Sequence, residues 1–200
     1  MRHDRTGWLC RAFLGIFLML SGNLAAQADP LPAALELHGT ALQQRLQQVW
    51  QQADQLDALS TGPVHAARHI LIFFDPNCPF CAHLWRSLQP WSARVRMRWV
   101  PVAFLRPSSL PMAATLLASK HPAQLLSQNE QHYQFRTRTG GILPLAQPPA
   151  RLLQQVRRNT ALWLANFDVT PTLLYRGPHK LHDVLGFPSH AQLRHWLGPA

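Results

Sequence analysis

Cysteine is scarce in this chain of 200 residues: it occurs at Cys10, Cys78 and Cys81 alone. So few exclude a small scaffold held together by dense disulfides. Charged residues make up only 14% of the chain against 47% hydrophobic ones, so it is no disordered tail and can bury a core. Negative charge is the scarcer sign, with nine Asp and Glu against 19 Lys and Arg and a formal charge of +10. Such an excess invites an acidic partner, nucleic acid among them. The N-terminal apolar run Ala12 to Leu20 falls short of the roughly 20 residues that span a bilayer. The length suits one domain, not two with a linker, and there is no internal repeat.

Around that short run the N-terminus has the layout of an export signal. Arg2, Arg5 and Arg11 form a basic leader, and Ala26-Gln27-Ala28 is a small-x-small cleavage signature. Residues 1–28 are therefore expected to be a cleaved signal peptide, in preference to an uncleaved anchor. Cys10 precedes the run, which does not suit a lipid attachment site. Cleavage would leave 172 residues carrying 16 basic and eight acidic side chains, or +8, and would remove Cys10. The exported chain then keeps Cys78 and Cys81, the two ends of one four-residue Cys-Pro-Phe-Cys segment. A disulfide stabilises most when it closes a long loop, and this pair closes almost none. Chemistry is the better reason for it.

In residues 29–64, Leu42, Leu46, Val49, Ala53 and Leu56 recur at a 4-3-4-3 spacing, an amphipathic helix ending near Thr61-Gly62-Pro63. At about two heptads it is short for an autonomous coiled coil, which favours a helix packed on the domain or a linker. From residue 65 the pattern becomes mixed. Ile70 to Phe74 reads as a strand buried on both faces, broken by Asp75-Pro76-Asn77, and a helix begins at the cysteines. Arg94 to Ala103 reads as a strand with Arg94, Arg96 and Arg98 on one face. Helices follow over Met112 to Lys120, Pro122 to Tyr133 and Ala150 to Phe167, with a loop over Thr139 to Pro149. Strands over Thr172 to Arg176 and Leu181 to Leu185 lead to a last helix capped by Ser189. This order predicts an α/β fold with a mixed sheet.

The reading places Cys78 at the carboxyl end of a strand and at a helix entrance, where unpaired N–H groups and the helix dipole stabilise an anion. Cys78 is thus the expected nucleophile, with Cys81 one turn inside to resolve a mixed disulfide. Pro79 suits the first helical turn because it has no N–H to lose. A structural zinc site would need two further thiol or imidazole ligands. No second Cys-x-x-Cys or paired histidine motif supplies them, so no metal is expected. Asp75 would oppose thiolate formation if it pointed inward. Val169-Thr170-Pro171-Thr172 reads, on its own, as a strand start.

Taken together, these motifs resemble the thioredoxin-fold catalytic domain of the periplasmic thiol:disulfide interchange proteins of the DsbG/DsbC family. The matching segments are Asp75-Pro76, Cys78-Pro79-Phe80-Cys81, Trp85 with Pro90-Trp91, Ala118-Ser119-Lys120 with Pro122-Ala123, Val169-Thr170-Pro171 and Gly186-Phe187-Pro188. The resemblance runs from about Ile70 to Gly198 and is closer to DsbG. It implies a thioredoxin-like fold with a helical insertion, preceded by the linker-like helix, with residues 65–200 as the catalytic domain. It implies that Cys78 attacks, that Cys81 resolves, that Pro79 and Phe80 form the active-site dipeptide, and that Thr170 and Pro171 dock substrate backbone. No cofactor is implied beyond a redox-active Cys78–Cys81 disulfide. Expected partners are proteins with disulfides or oxidised cysteines, and the membrane reductase DsbD as electron source. Only residues 29–64 stand where the family carries a dimerisation domain, so a monomer or weak helix-mediated dimer is expected. The alternative is a non-enzymatic periplasmic chaperone or envelope-assembly accessory using the arginine face. No nucleic-acid motif accompanies those arginines, and no nucleic-acid partner is expected.

Overall fold

The computed structural model describes residues 39–199. The expected signal peptide and its cleavage site lie outside the described residues. Strand β2 (Arg68–Phe74) is the centre of a five-stranded sheet ordered β1-β3-β2-β4-β5. It pairs in parallel with β3 (Val95–Pro101) and antiparallel with β4 (Thr172–Arg176). The edges are β1 (Leu59–Thr61), antiparallel to β3, and β5 (Leu181–Leu185), antiparallel to β4. This is the mixed α/β, thioredoxin-like arrangement expected from the sequence.

The continuous apolar run of β2 is explained by the two faces it serves. Ile70, Ile72 and Phe74 point into one core, with Val95, Met97 and Trp99 of β3 and Leu84, Trp85 and Leu88 of helix α2 (Pro79–Leu88). Leu71 and Phe73 point into the other, with Val100 and with Trp163 of helix α5 (Ala150–Leu164). Each large apolar side chain buried this way contributes about 1.5–3 kcal/mol. Helices α3 (Ser109–Ala118) and α4 (Pro122–Gln131) form the insertion between β3 and α5. The last helix, α6 (His190–Leu197), begins with the Ser189 cap, completed into a capping box by Gln192.

Helix α1 (Thr40–Asp54) turns out to be part of this body. Its Leu46, Val49, Trp50 and Ala53 are buried in the second core. The Gln43 amide both donates to the carbonyl of Leu181 and accepts from its N–H, continuing the ladder of β5 with a side chain. Helix α1 and strand β1 belong to the same compact unit as the rest of the described residues. The helix ends at Asp54, not near Thr61, because Leu59–Thr61 is drawn into the sheet beside β3. A three-residue strand has too little periodicity to show in sequence.

The arginine face is another departure. Arg98 donates to the carbonyls of Ala53, Asp54 and Leu56, capping the last turn of α1, and Arg96 reaches the carbonyl of Val64. Arg94 lies just before β3 and bonds to the carbonyl of Pro199. A cation at a helix C-terminus is favourable, so Arg98 is bound into the fold, while Arg94 stays exposed. No helix among the described residues is long and apolar enough to cross a membrane.

Candidate active site

At the carboxyl end of β2 the chain makes a tight turn, with the Cys78 N–H bonded to the carbonyl of Asp75 at 2.9 Å. Cys78 is the N-cap of α2, and its own carbonyl accepts from the N–H groups of Cys81 and Ala82. Pro79 occupies the first turn, where its missing N–H loses no bond. The ring of Phe80 stands out of the protein, 57% exposed, beside the almost fully buried Cys78. Both cysteines are free thiols.

The two thiols are driven in opposite directions. Cys78 is lowered to about 7, chiefly by the hydrogen bond from the Cys81 thiol, with burial opposing it. Smaller downward pulls come from the Thr170 side chain and from the backbone N–H groups of Cys81 and Phe80. Cys81 is pushed well above its usual range, first by burial, then by that same hydrogen bond and by the charges of Cys78 and Glu130. One sulfur is therefore ready to act as a thiolate at neutral pH, while the other holds its proton until the first has reacted.

Thr170 and Pro171 come to the cysteines from across the sheet. The Cys78 thiol donates to the carbonyl of Thr170 at 3.4 Å, and the Thr170–Pro171 peptide is cis. The pair of segments the sequence singled out, 92 positions apart, thus meets at one place.

Asp75 does point inward, yet as a latch. Its carboxylate accepts from the N–H groups of Asn77, Phe104 and Leu105 and from the Ser109 hydroxyl. Burial raises its pKa while these donors pull it down. Asn77 continues the scaffold: its amide donates to Ser108 and Ser109 and accepts from the N–H of Gly140, and its carbonyl accepts from the Tyr133 hydroxyl. At Gly140 any side chain would collide, since a Cβ would lie 2.1 Å from Asn129 Oδ1 and 2.5 Å from the carbonyl of Pro76.

Glu130, which the sequence reading missed, is a fully buried carboxyl in α4. Asn129 donates to its Oε1 and also to the carbonyl of Pro76, while Oε2 has no hydrogen-bond partner. Burial, followed by the charges of Cys78 and Asp75, raises it to about 8 against the pull of Asn129 and Arg86. The available signal was its place on the buried face of α4, with Leu126 one turn before it and Tyr133 one turn beyond.

A groove of about 490 Å³ opens at Cys78. Phe80, Phe104, Leu105 and Val169 line it, with Arg106, Arg138 and Asp168 among its charged residues. Among the described residues no three His, Cys, Asp or Glu side chains gather into a metal-binding group.

A buried strand that delivers a Cys-x-x-Cys pair onto a helix N-terminus beside a cis X-Pro loop defines a thioredoxin-fold dithiol protein. Solved structures with the same fold include the catalytic domain of Proteus mirabilis ScsC, with a TM-score of 0.60 at 16% identity. It is covered to 96% and this chain to 76%. A periplasmic thioredoxin-like protein from Salmonella enterica serovar Typhimurium gives a TM-score of 0.57 at 21% identity, covering 70% of this chain and 88% of that one. In sequence, the chain is related to the thiol:disulfide interchange protein DsbG. It is 32% identical to that of Pseudomonas aeruginosa over 156 residues, 76% of this chain and 59% of the relative. To that of Escherichia coli it is 29% identical over 158 residues, 76% of this chain and 61% of the relative. The chain thus spans about three fifths of the length of these relatives. No family model matches it.

Proposed function

We propose that the protein is an exported, periplasmic thiol:disulfide oxidoreductase working through Cys78 and Cys81, with no cofactor. The observation that carries this reading is the division of the two thiols: Cys78 lowered to about 7 at the groove, Cys81 raised behind it. The Cys78 thiolate attacks one sulfur of a substrate disulfide, forming a mixed disulfide and expelling the other substrate sulfur as a thiolate. Cys81 then loses its proton and attacks the Cys78 sulfur. The second substrate thiolate leaves, so the two electrons pass to the substrate's sulfurs, now both thiols, and the protein is left with a Cys78–Cys81 disulfide. An external dithiol donor, DsbD by the family resemblance, restores the reduced form. If the mixed disulfide is instead resolved by another substrate thiol, the same site isomerises with no net redox change. A sulfenic acid on a substrate cysteine would be reduced by the same two steps, its oxygen leaving as water.

Thr170 and Pro171 dock the substrate backbone against Cys78 in this reading, and Phe80 offers an apolar contact beside it. The apolar stripe of α1 is taken up by its own sheet, which supports a monomer over a helix-mediated dimer. The discriminating experiment is trapping with Cys81→Ala. Mixed disulfides should accumulate on Cys78 in exported extracts and vanish in Cys78→Ala, Cys81→Ala. An absence of adducts, with the biological activity intact in Cys78→Ser, would favour the chaperone or envelope-accessory alternative.

A further inference from the structure

Most of the arginines near the sheet are tied to the fold. Arg45, Arg68, Arg86 and Arg98 each donate to backbone carbonyls. Arg106 and Arg138 have no side-chain hydrogen bond of this kind among the described residues; both are exposed, and both line the groove that opens at Cys78. Each is presented by an anchored segment. The Arg106 loop is held by Asp75 through the N–H groups of Phe104 and Leu105, and by the Ser109 hydroxyl through the N–H of Arg106 itself. Arg138 sits at φ 52 in a turn closed by mutual Gln134 and Thr139 backbone hydrogen bonds. Between them the groove is apolar. Phe104 packs on the Trp163 ring at 4.5 Å yet remains 41% exposed, and Leu105 is similarly open. Asp168 is the single carboxylate of the lining, set against two guanidinium groups.

We propose that this groove selects substrate protein segments in which the reactive cysteine is flanked by an apolar side chain and by acidic residues. The inference rests on the thiol:disulfide exchange reading and adds the substrate class to it. The apolar neighbour lies on Phe104 and Leu105, and the carboxylates meet Arg106 and Arg138. Complementary rim charges act mainly on encounter and register, and salt screens them. Each exposed ion pair changes a rate constant about 1.5- to 5-fold, so two together give a preference of about 2- to 25-fold.

The test uses the full reduced protein and two peptides, identical except for Glu or Lys at the positions flanking one leucine-cysteine pair. Each cysteine carries the same chromogenic aryl thiol as a mixed disulfide, and release of that thiol reports the second-order rate constant. A neutral small disulfide serves as a third substrate. The expected result is a faster reaction with the Glu peptide, a ratio that shrinks in high salt, a ratio near one in Arg106→Ser, Arg138→Ser, and its retention in Arg106→Lys, Arg138→Lys. Equal rates for the two peptides while the neutral disulfide is reduced would overturn the groove proposal alone, and so would a preference that survives the serine variant. Failure to reduce any of the three substrates would overturn the exchange reading itself.

Discussion

Replacing Glu130 with glutamine should remove a large part of the pH dependence of this protein's stability. The carboxyl is fully buried and titrates at about 8 instead of 4.5, with burial as the main cause. Between these values the unfolded chain has released the proton while the folded chain still holds it, so stability falls as pH rises through that window. Below it the group is neutral in both states; above it the full penalty is present. At about 1.36 kcal/mol per unit, the loss approaches 5 kcal/mol, a large share of the roughly 5–15 kcal/mol that holds an ordinary domain together. Glutamine fills the same space without a charge. Because the thiols titrate in the same range, the comparison belongs in a Cys78→Ala, Cys81→Ala background. Urea unfolding from pH 5 to 9 should show a falling midpoint with Glu130 and a much flatter one with Glu130→Gln. Parallel curves would refute the reasoning, since they would mean that Glu130 is ionised in the fold or reaches water.

Other outcomes follow from the same geometry. Thiolate absorbance of the reduced protein should titrate with a midpoint near pH 7, and Cys81→Ala should move it upward, because the Cys81 thiol is the largest influence lowering Cys78. As the Cys78 pKa is depressed in the fold, its stabilising contribution should be lost as pH falls through about 7. Asp75→Ala leaves the four donors it binds without their acceptor. At about 1–3 kcal/mol for each buried group left unpaired, chemical denaturation should show a loss of several kcal/mol, with Asp75→Asn losing less. Arg98→Ala should destabilise by about 2 kcal/mol, from the lost cap on α1, while leaving the Cys78 titration in place. A Cys78 midpoint that moved with Arg98 would contradict the separation of these two regions.

The sequence by itself settled the elements whose signals are local. The apolar run at Ile70 to Phe74, the break at Asp75-Pro76-Asn77, the proline after Cys78 and the Ser189 cap each act within a few residues, and each element stands where those signals put it. The Cys-x-x-Cys pair was legible because nothing else in the expected mature chain competes for its sulfurs. Tertiary structure decided the rest. Long-range pairing made Leu59–Thr61 a strand, took α1 into the body of the domain, and turned Arg98 from a surface charge into a helix cap. Asp75 could have opposed the thiolate or latched the neighbouring loop, and only the arrival of Phe104, Leu105 and Ser109 selects the latch. The unequal readiness of Cys78 and Cys81 has the same origin. Burial, a hydrogen bond across one helical turn and a carboxyl brought in from α4 set those affinities, and such proximities exist only once the chain has folded.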